Sequence, residues 1–337
     1  METKKKSWYK QILEIKGMGG ALTAFCGLLI IYIAFGLINP TVFSGQNIQN
    51  LLRSMSKYLI IGIGQSFVMI TGNIDLSIGS TVGMSAMISA TLMVYGVHPV
   101  LAILVSLLCS LVIGVLNGIL VGKFKLPPFI ATLGTMFVAR AAAYLVNGNR
   151  NTDGIASAIG KESADRFQNA FYYGKTLGIY NTFWIAMILF AAFFFMLAKT
   201  RTGRHIYAIG SNVEAAKLSG VNVVATTIKA YLVSAVCAAV VGLIICAQAG
   251  MGNMEAGNMY EMYGVAAGVI GGISPLGGSG LLLGTLAGAA VWQTLENGLS
   301  MIGAPVGIQR LVIGIIVVLA VLLDVVVRNG KGIKKNK

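Results

Sequence analysis

Charge is scarce in this chain. Only 11% of its 337 residues are charged, against roughly 25% in an ordinary soluble domain. Acidic side chains are the rarer sign, with 11 Asp and Glu against 25 Lys and Arg. Hydrophobic residues make up 56% and the mean hydropathy is +0.80. Such a chain cannot hide its apolar surface from water, which excludes a soluble globular protein and leaves the bilayer as solvent. Cysteine is equally sparse: Cys26, Cys109, Cys237 and Cys246 all lie inside apolar runs, which excludes a disulfide framework and reads as small core residues. The two histidines, His98 and His205, lie in separate loops. No HExxH, paired cysteines or GxSxG is present, so hydrolase and metal-site chemistry lose their usual carriers.

What is abundant fits the same solvent. Forty-three glycines suit close helix packing in lipid. Small residues recur at four-residue spacing at Gly114, Gly118 and Gly122, at Gly264, Gly268 and Gly272, and at Gly280, Gly284 and Gly288; each set puts glycine on one helical face, where ordinary packing explains it. A net charge of +14 would suggest nucleic acid in a soluble chain. Here the positive-inside rule accounts for it, and no nucleic-acid partner is expected.

A bilayer span needs about 20 apolar residues. Apolar segments fall near 20–38, 58–71, 77–96, 99–122, 127–146, 180–198, 229–250, 263–275, 280–301 and 307–327. The expectation is therefore an all-α, polytopic transmembrane helix bundle of about ten spans, forming a single transmembrane domain over 1–337 with membrane lipid around it. Ten spans place both termini in the cytoplasm, with basic residues at Lys4–Lys6 and from Arg328 to Lys337. The cytoplasmic pieces are then 1–19, 199–228 and 328–337, and the long external loop is 147–179. Lys4–Lys6 precede an apolar segment with no cleavage site after it, which reads as an uncleaved first span. Arg53 and Lys57 fall on the outer side against the rule; they belong to a stretch, Asn47–Tyr58, expected to lie amphipathically along the outer interface. Asn117-Gly118 followed by Pro127 is echoed by Asn297-Gly298 followed by Pro305, as an inverted internal repeat would give.

No ATP site is legible. Gly174-Lys175-Thr176 ends like a phosphate loop, but Asn169 stands where its leading glycine belongs. No cofactor is expected. The polar interruption Thr71–Ser80 sets Asn73, Asp75 and Ser77 between two apolar segments. An ionisable residue at that depth marks a cavity or an internal partner, or Asp75 caps the next helix; the residues leave both readings open. Gly271–Ser279 makes a comparable interruption later. Among polar groups near spans, Arg140 and Glu296 are the costliest to bury, and internal pairing explains them more simply than cargo contact. Asn73, Asp75, Ser77, Asn117, Thr132, Thr135, Gln293 and Asn297 are the candidates for a translocation path.

The stretch Arg201–Val221 is polar and basic between two apolar spans. Asn212 is placed to cap a short helix over Val213–Ser219 that Gly220 stops, with Glu214 in its first turn and Lys217 in its last, both favourable to the helix dipole. After Lys199–Arg204, the run Ala208–Asn222 resembles the cytoplasmic coupling loop of bacterial ABC permeases of the ribose/xylose/galactoside class. The Gly72–Ser80 break, Pro128–Thr135 and Val269–Gly278 resemble the same family, in order along nearly the whole chain. The resemblance implies that Arg204, Asn212, Glu214, Ala215, Ala216, Lys217 and Gly220 meet a separate ATP-binding subunit. It also implies an extracytoplasmic sugar-binding protein, a second permease copy (identical or paralogous), and placement in the bacterial plasma membrane. The expected function is a sugar path with a coupling lever and no ATPase activity of its own. Around Tyr260–Ala267 the sequence departs from many relatives, where Tyr263-Gly264 stand, which bears on the cargo and on Glu261. Rival readings are the same machine carrying a nucleoside, a signalling sugar or a branched-chain amino acid, an ion-coupled carrier using Asp75, and an assembly scaffold.

Overall fold

The computed structural model describes residues 18–312 and, beyond them, 314–316, 318, 319 and 322. The basic clusters expected at the two termini and Asp324 lie outside the described residues. The chain is a helical bundle. Its long helices are α1 (Met18–Ile38), α2 (Gly45–Ile70), α3 (Ile78–Val94), α4 (Pro99–Gly122) and α5 (Pro128–Leu145). After two short helices, α6 (Ile155–Ile159) and α7 (Lys161–Gln168), come α8 (Asn181–Lys199), α9 (Arg201–Ser211) and α10 (Val213–Leu218). The bundle is completed by α11 (Val223–Ala249), α12 (Tyr260–Ile270) and α13 (Leu282–Met301). Five described helices, α1, α4, α5, α8 and α11, are long and apolar enough to cross a bilayer by length and composition. Of the tenth apolar segment, residues 306–312 and 314–316 are helical. The molecule is a polytopic helical membrane protein.

Contacts sort the helix ends into two levels. At one, here the near end, Gly20 of α1 packs on Gly272, Gly122 of α4 on Val224 and Thr227 of α11, and Gly278 N donates to Ile70 O at the end of α2 (2.8 Å). At the other, the far end, Asn39 Nδ2 donates to Met301 O (3.0 Å), Asn47 pairs with Asn297, and Thr152 N donates to Gly252 O (3.1 Å). Successive long helices therefore run antiparallel.

The core is centred on α2, α3 and α11, which are buried along most of their lengths. Glycine makes that packing possible. Gly114 and Gly118 lie against the α11 backbone at Tyr231 and Ile228, and Gly284 and Gly288 of α13 lie against Gly271 and Ala267. These periodic glycines thus do what small residues do in lipid, bringing backbones together, whereas Gly272 and Gly280 fall in the turn between α12 and α13 and lie on no helical face.

Helix lengths repeat. α1 to α4 have 21, 26, 17 and 24 residues, and α8, α11, α12 and α13 have 19, 27, 11 and 20. On that alignment Asn117-Gly118 of α4 corresponds to Asn297-Gly298 of α13, as the sequence echo suggested. The counterpart of the break at 71–77 is then the loop 250–259, since each precedes a short helix. The turn at 271–281, read from sequence as the comparable break, instead follows α12.

Two further differences concern local structure. Asn47–Tyr58 is not a separate interfacial helix. It is the first half of α2, with Asn47, Met55, Ser56 and Tyr58 buried, and Arg53 lies over the rings of Tyr172 and Tyr180 at 4.6 and 4.1 Å. Aromatic faces accommodate that cation away from water. The loop after α7 adds a two-stranded hairpin, β1 (Lys175–Thr176) and β2 (Ile179–Tyr180), where Lys175 Nζ donates to Gln49 Oε1 (2.6 Å).

Candidate functional site

The near end is built around α9 and α10. Thr200 opens α9, its side chain accepting from Gly203 N (3.4 Å), and the helix ends one residue before Asn212. Asn212 Oδ1 accepts from Ala215 N (2.9 Å) and so starts α10 as the sequence requires. Gly220 has φ +81°, a left-handed conformation that favours glycine, and the chain turns there into α11, which Asn222 caps through Ala225 N. Glu214 and Lys217 sit in the first and last turns. Of the helix only Ala216 is buried; Val213 is exposed and Leu218 is 89% exposed.

α9 anchors this knob to the bundle through its other face. Ile206 and Ile209 are buried. A Cβ built at Gly210 would run into Ile70 O and Gly278 N. Tyr207 Oη donates to Gly280 O (2.7 Å), and burial pushes its hydroxyl up to about 12, so it stays a donor at any physiological pH. The α2 terminus, the 271–281 turn and α9 thus meet backbone to backbone. Arg204 is exposed and lines, with Lys199, Tyr207 and Leu281, a cavity of about 670 Å³ beside this junction.

From the junction the chain enters the Thr71–Ser77 break, and a polar chain begins. Asp75, 3% exposed, accepts at Oδ1 from Ser77 N (2.9 Å) and Ser77 Oγ (2.6 Å), and at Oδ2 from Ser234 Oγ of α11 (2.6 Å). Ser77 Oγ accepts from Asn117 Nδ2 of α4 (2.8 Å), and Asn117 Oδ1 accepts from Thr135 Oγ1 of α5 (2.6 Å). Tyr231 Oη donates to Ile74 O (3.1 Å). The carboxylate satisfies the start of α3, since Ser77 is its first flanking residue, and also ties three neighbouring helices to the break. A fully bonded buried network of this kind rigidifies the groups it joins.

The sequence candidates are divided by this geometry. Asp75, Ser77, Asn117 and Thr135 form one chain. Thr132 bonds Pro128 O in its own helix while its carbonyl accepts from Thr135. Asn73 bonds Thr71 Oγ1 and stands beside the chain. Gln293 and Asn297 are elsewhere, toward the far end, where Asn297 and Asn47 exchange amide hydrogen bonds (3.0 and 3.2 Å). Ser234, Tyr231, Tyr207 and Gly210 were not singled out from sequence. A lone serine among Val233, Ala235 and Val236 was the available signal for the first; nothing in the sequence marks Gly210 apart from the chain's other glycines.

The far end carries its own clasp. Arg140 Nη1 of α5 donates to Met254 O and Ala256 O (both 2.9 Å), Tyr144 Oη donates to Glu255 Oε1 (2.6 Å), and Met254 N donates to Asn151 Oδ1 (2.9 Å). The charge of Arg140 is thus met by carbonyls, the internal pairing expected for it. Glu296 accepts from Tyr58 Oη (2.8 Å).

Residues 47–321 match the model of the family described as branched-chain amino acid transport system / permease component. The ribose import permease protein RbsC of Bacillus subtilis (strain 168) is 35% identical over 96% of this chain and 98% of its own length. RbsC of Escherichia coli (strain K12) is 35% identical over 88% of this chain and 91% of its own length. The autoinducer 2 import system permease protein LsrC of Salmonella typhi is 31% identical over 92% and 85%. No solved structure matches.

Proposed function

We propose a role for this chain from the premise that it belongs to the branched-chain amino acid transport system / permease component family: it is the membrane subunit of a bacterial ABC importer for a monosaccharide. Import permeases for ribose are among its relatives, at 35% identity along nearly their whole length. The near end faces the cytoplasm. There α10 enters a cleft of a separate ATP-binding subunit, which supplies the energy for transport. A sugar-binding protein delivers cargo to the far end, and a second permease copy completes the path.

The observation that carries this reading is the knob itself. Leu218 is 89% exposed and Val213, at the other end of the helix, is also exposed, on a capped six-residue helix that follows α9, which is locked to α2 and the 271–281 turn. Two apolar side chains left exposed on a short capped helix are what a helix-in-groove contact with a partner would cover. A stiff insert can pass a displacement onward; here it would reach the ends of α2, α12 and α13 through Gly210, Ile70 and Gly278. Asp75, Ser77, Asn117 and Thr135 then carry that motion into α3, α4, α5 and α11 as one bonded unit. The LsrC likeness favours autoinducer 2 as the second choice of cargo.

The test is uptake of radiolabelled D-ribose by proteoliposomes holding the permease, its ATP-binding subunit and its binding protein. ATP on the α10 side should drive accumulation. Accumulation driven by an ion gradient without ATP would overturn the reading.

A further inference from the structure

Toward the far end, α2, the end of α11 and the loop before α12 enclose a cavity of about 430 Å³, within the range of small-molecule sites. Six polar side chains line it: Lys57, Gln248, Asn253, Glu255, Asn258 and Tyr260. Part of this set is already engaged, since Lys57 Nζ donates to Gln248 Oε1 (2.9 Å) and Glu255 accepts from Tyr144. The remaining capacity mixes donors and acceptors, with one cation and one anion in the wall. That composition suits a neutral polyhydroxylated molecule better than a phosphate or a free ion.

Tyr260 is shared between this cavity and an aromatic layer behind it. Its ring lies 6.1 Å from that of Tyr58 and 5.5 Å from that of Tyr263, and Trp292 lies 5.1 Å from Tyr263. Tyr58 holds the carboxylate of Glu296. Two polar atoms of this region are left over. Trp292 Nε1 and Gln293 Oε1 are buried without a hydrogen-bond partner, in residues 6% and 7% exposed. Buried polar atoms in native proteins nearly always find partners, so an orphaned pair asks what fills the role. Gln65 lies deeper on α2, against Gly264 of α12. Both polar atoms of its side-chain amide are also unpartnered, so orphaned groups continue along the seam of α2, α12 and α13.

Resting on the importer reading above, we infer that this cavity and the layer behind it are a monosaccharide subsite, the first place where cargo meets the permease. The amides and carboxylates take the hydroxyls, and the tyrosine and tryptophan rings cover the C–H face of the sugar. Gln293 and Trp292 supply an acceptor and a donor to a sugar that has moved inward. Recognition therefore does not end with the binding protein; the permease reads the hydroxyl pattern again.

The experiment measures uptake by the full complex in proteoliposomes, with D-ribose and 2-deoxy-D-ribose as probes, for wild type, Tyr260→Ala, Gln293→Leu and Glu296→Gln. Basal ATP hydrolysis and co-purification of the subunits control for folding. The subsite predicts at least tenfold slower ribose uptake for Tyr260→Ala and Gln293→Leu in complexes that co-purify with all their subunits. It also predicts a several-fold loss of discrimination against the deoxy sugar in Glu296→Gln, which a merely structural role would not produce. Variants that assemble and take up both sugars as wild type does would overturn the subsite and leave the importer standing. A wild-type complex that accumulates no ribose would overturn the monosaccharide reading itself.

Discussion

Gly210 of α9 lies directly against Ile70, the last residue of α2, leaving no room for a side chain between the helix and the Ile70 carbonyl, which itself accepts from Gly278 N. Alanine is better than glycine inside a helix by about 1 kcal/mol, so an unobstructed Gly210→Ala would stabilise. Overpacking against backbone costs about 1–3 kcal/mol and should win. The expected outcome is a lower melting temperature and ATP-driven uptake reduced at least tenfold, checked by thermal unfolding and transport of the purified complex. A stabilised, fully active variant would show that this junction transmits nothing.

Asn212 should behave as a helix cap and little else. Its Oδ1 satisfies Ala215 N at the start of α10, and replacing such a cap by alanine costs roughly 0.5–2 kcal/mol. Asn212→Ala should therefore loosen α10 and weaken capture of the ATP-binding subunit, while Asn212→Asp or Asn212→Ser restores it. Pull-down of the ATP-binding subunit from detergent-solubilised membranes reads the series.

Leu218 separates docking from stability. Exposed as it is, its replacement by aspartate should change unfolding stability by no more than about 0.5 kcal/mol. Association with the ATP-binding subunit should nonetheless fall at least tenfold, because a charge would enter an apolar cleft. Unfolding curves and binding isotherms on the same preparation check both halves.

Much of this was open to the sequence. The apolar segments, the caps of α10 and the antiparallel order follow from local rules: span length, an Asn before an apolar turn, a Gly after it. Asp75, Ser77, Asn117 and Thr135 could be named as polar residues in apolar surroundings, but their union could not. They lie on three elements, the 71–77 break, α4 and α5, separated by up to 60 positions, and only tertiary packing brings Ser234 to the same carboxylate. The stretch 47–58 misled for a related reason. Arg53 and Lys57 look interfacial alone, and they become tolerable inside a long helix once Tyr172, Tyr180 and Gln248 are folded over them.

Asp75 distinguishes a structural tie from an ion carrier. Asp75→Asn keeps an acceptor oxygen for Ser77, turns an amide N–H toward Ser234 Oγ, which can accept it, and removes the charge. It should leave ATP-driven uptake within about threefold of wild type. Asp75→Ala strands the donors that Asp75 receives, each buried orphan costing about 1–3 kcal/mol, and should fail to fold or unfold early. Paired transport and unfolding measurements decide it, and loss of all uptake in Asp75→Asn with the fold intact would favour a carrier.

Arg140 should hold the 250–259 loop shut. Its guanidinium bonds two loop carbonyls, and hydrogen bonds to charged groups contribute about 1.5–3 kcal/mol. Arg140→Ala should expose the loop to limited proteolysis and quicken hydrogen exchange at Met254 and Glu255.

The most direct measurement places a photo-activatable cross-linker at Leu218 in the assembled complex and follows uptake in the same vesicles. The account predicts a covalent product with the ATP-binding subunit and ribose accumulation only when that subunit and ATP are present. No product with that subunit, together with undiminished accumulation in its absence, would contradict it.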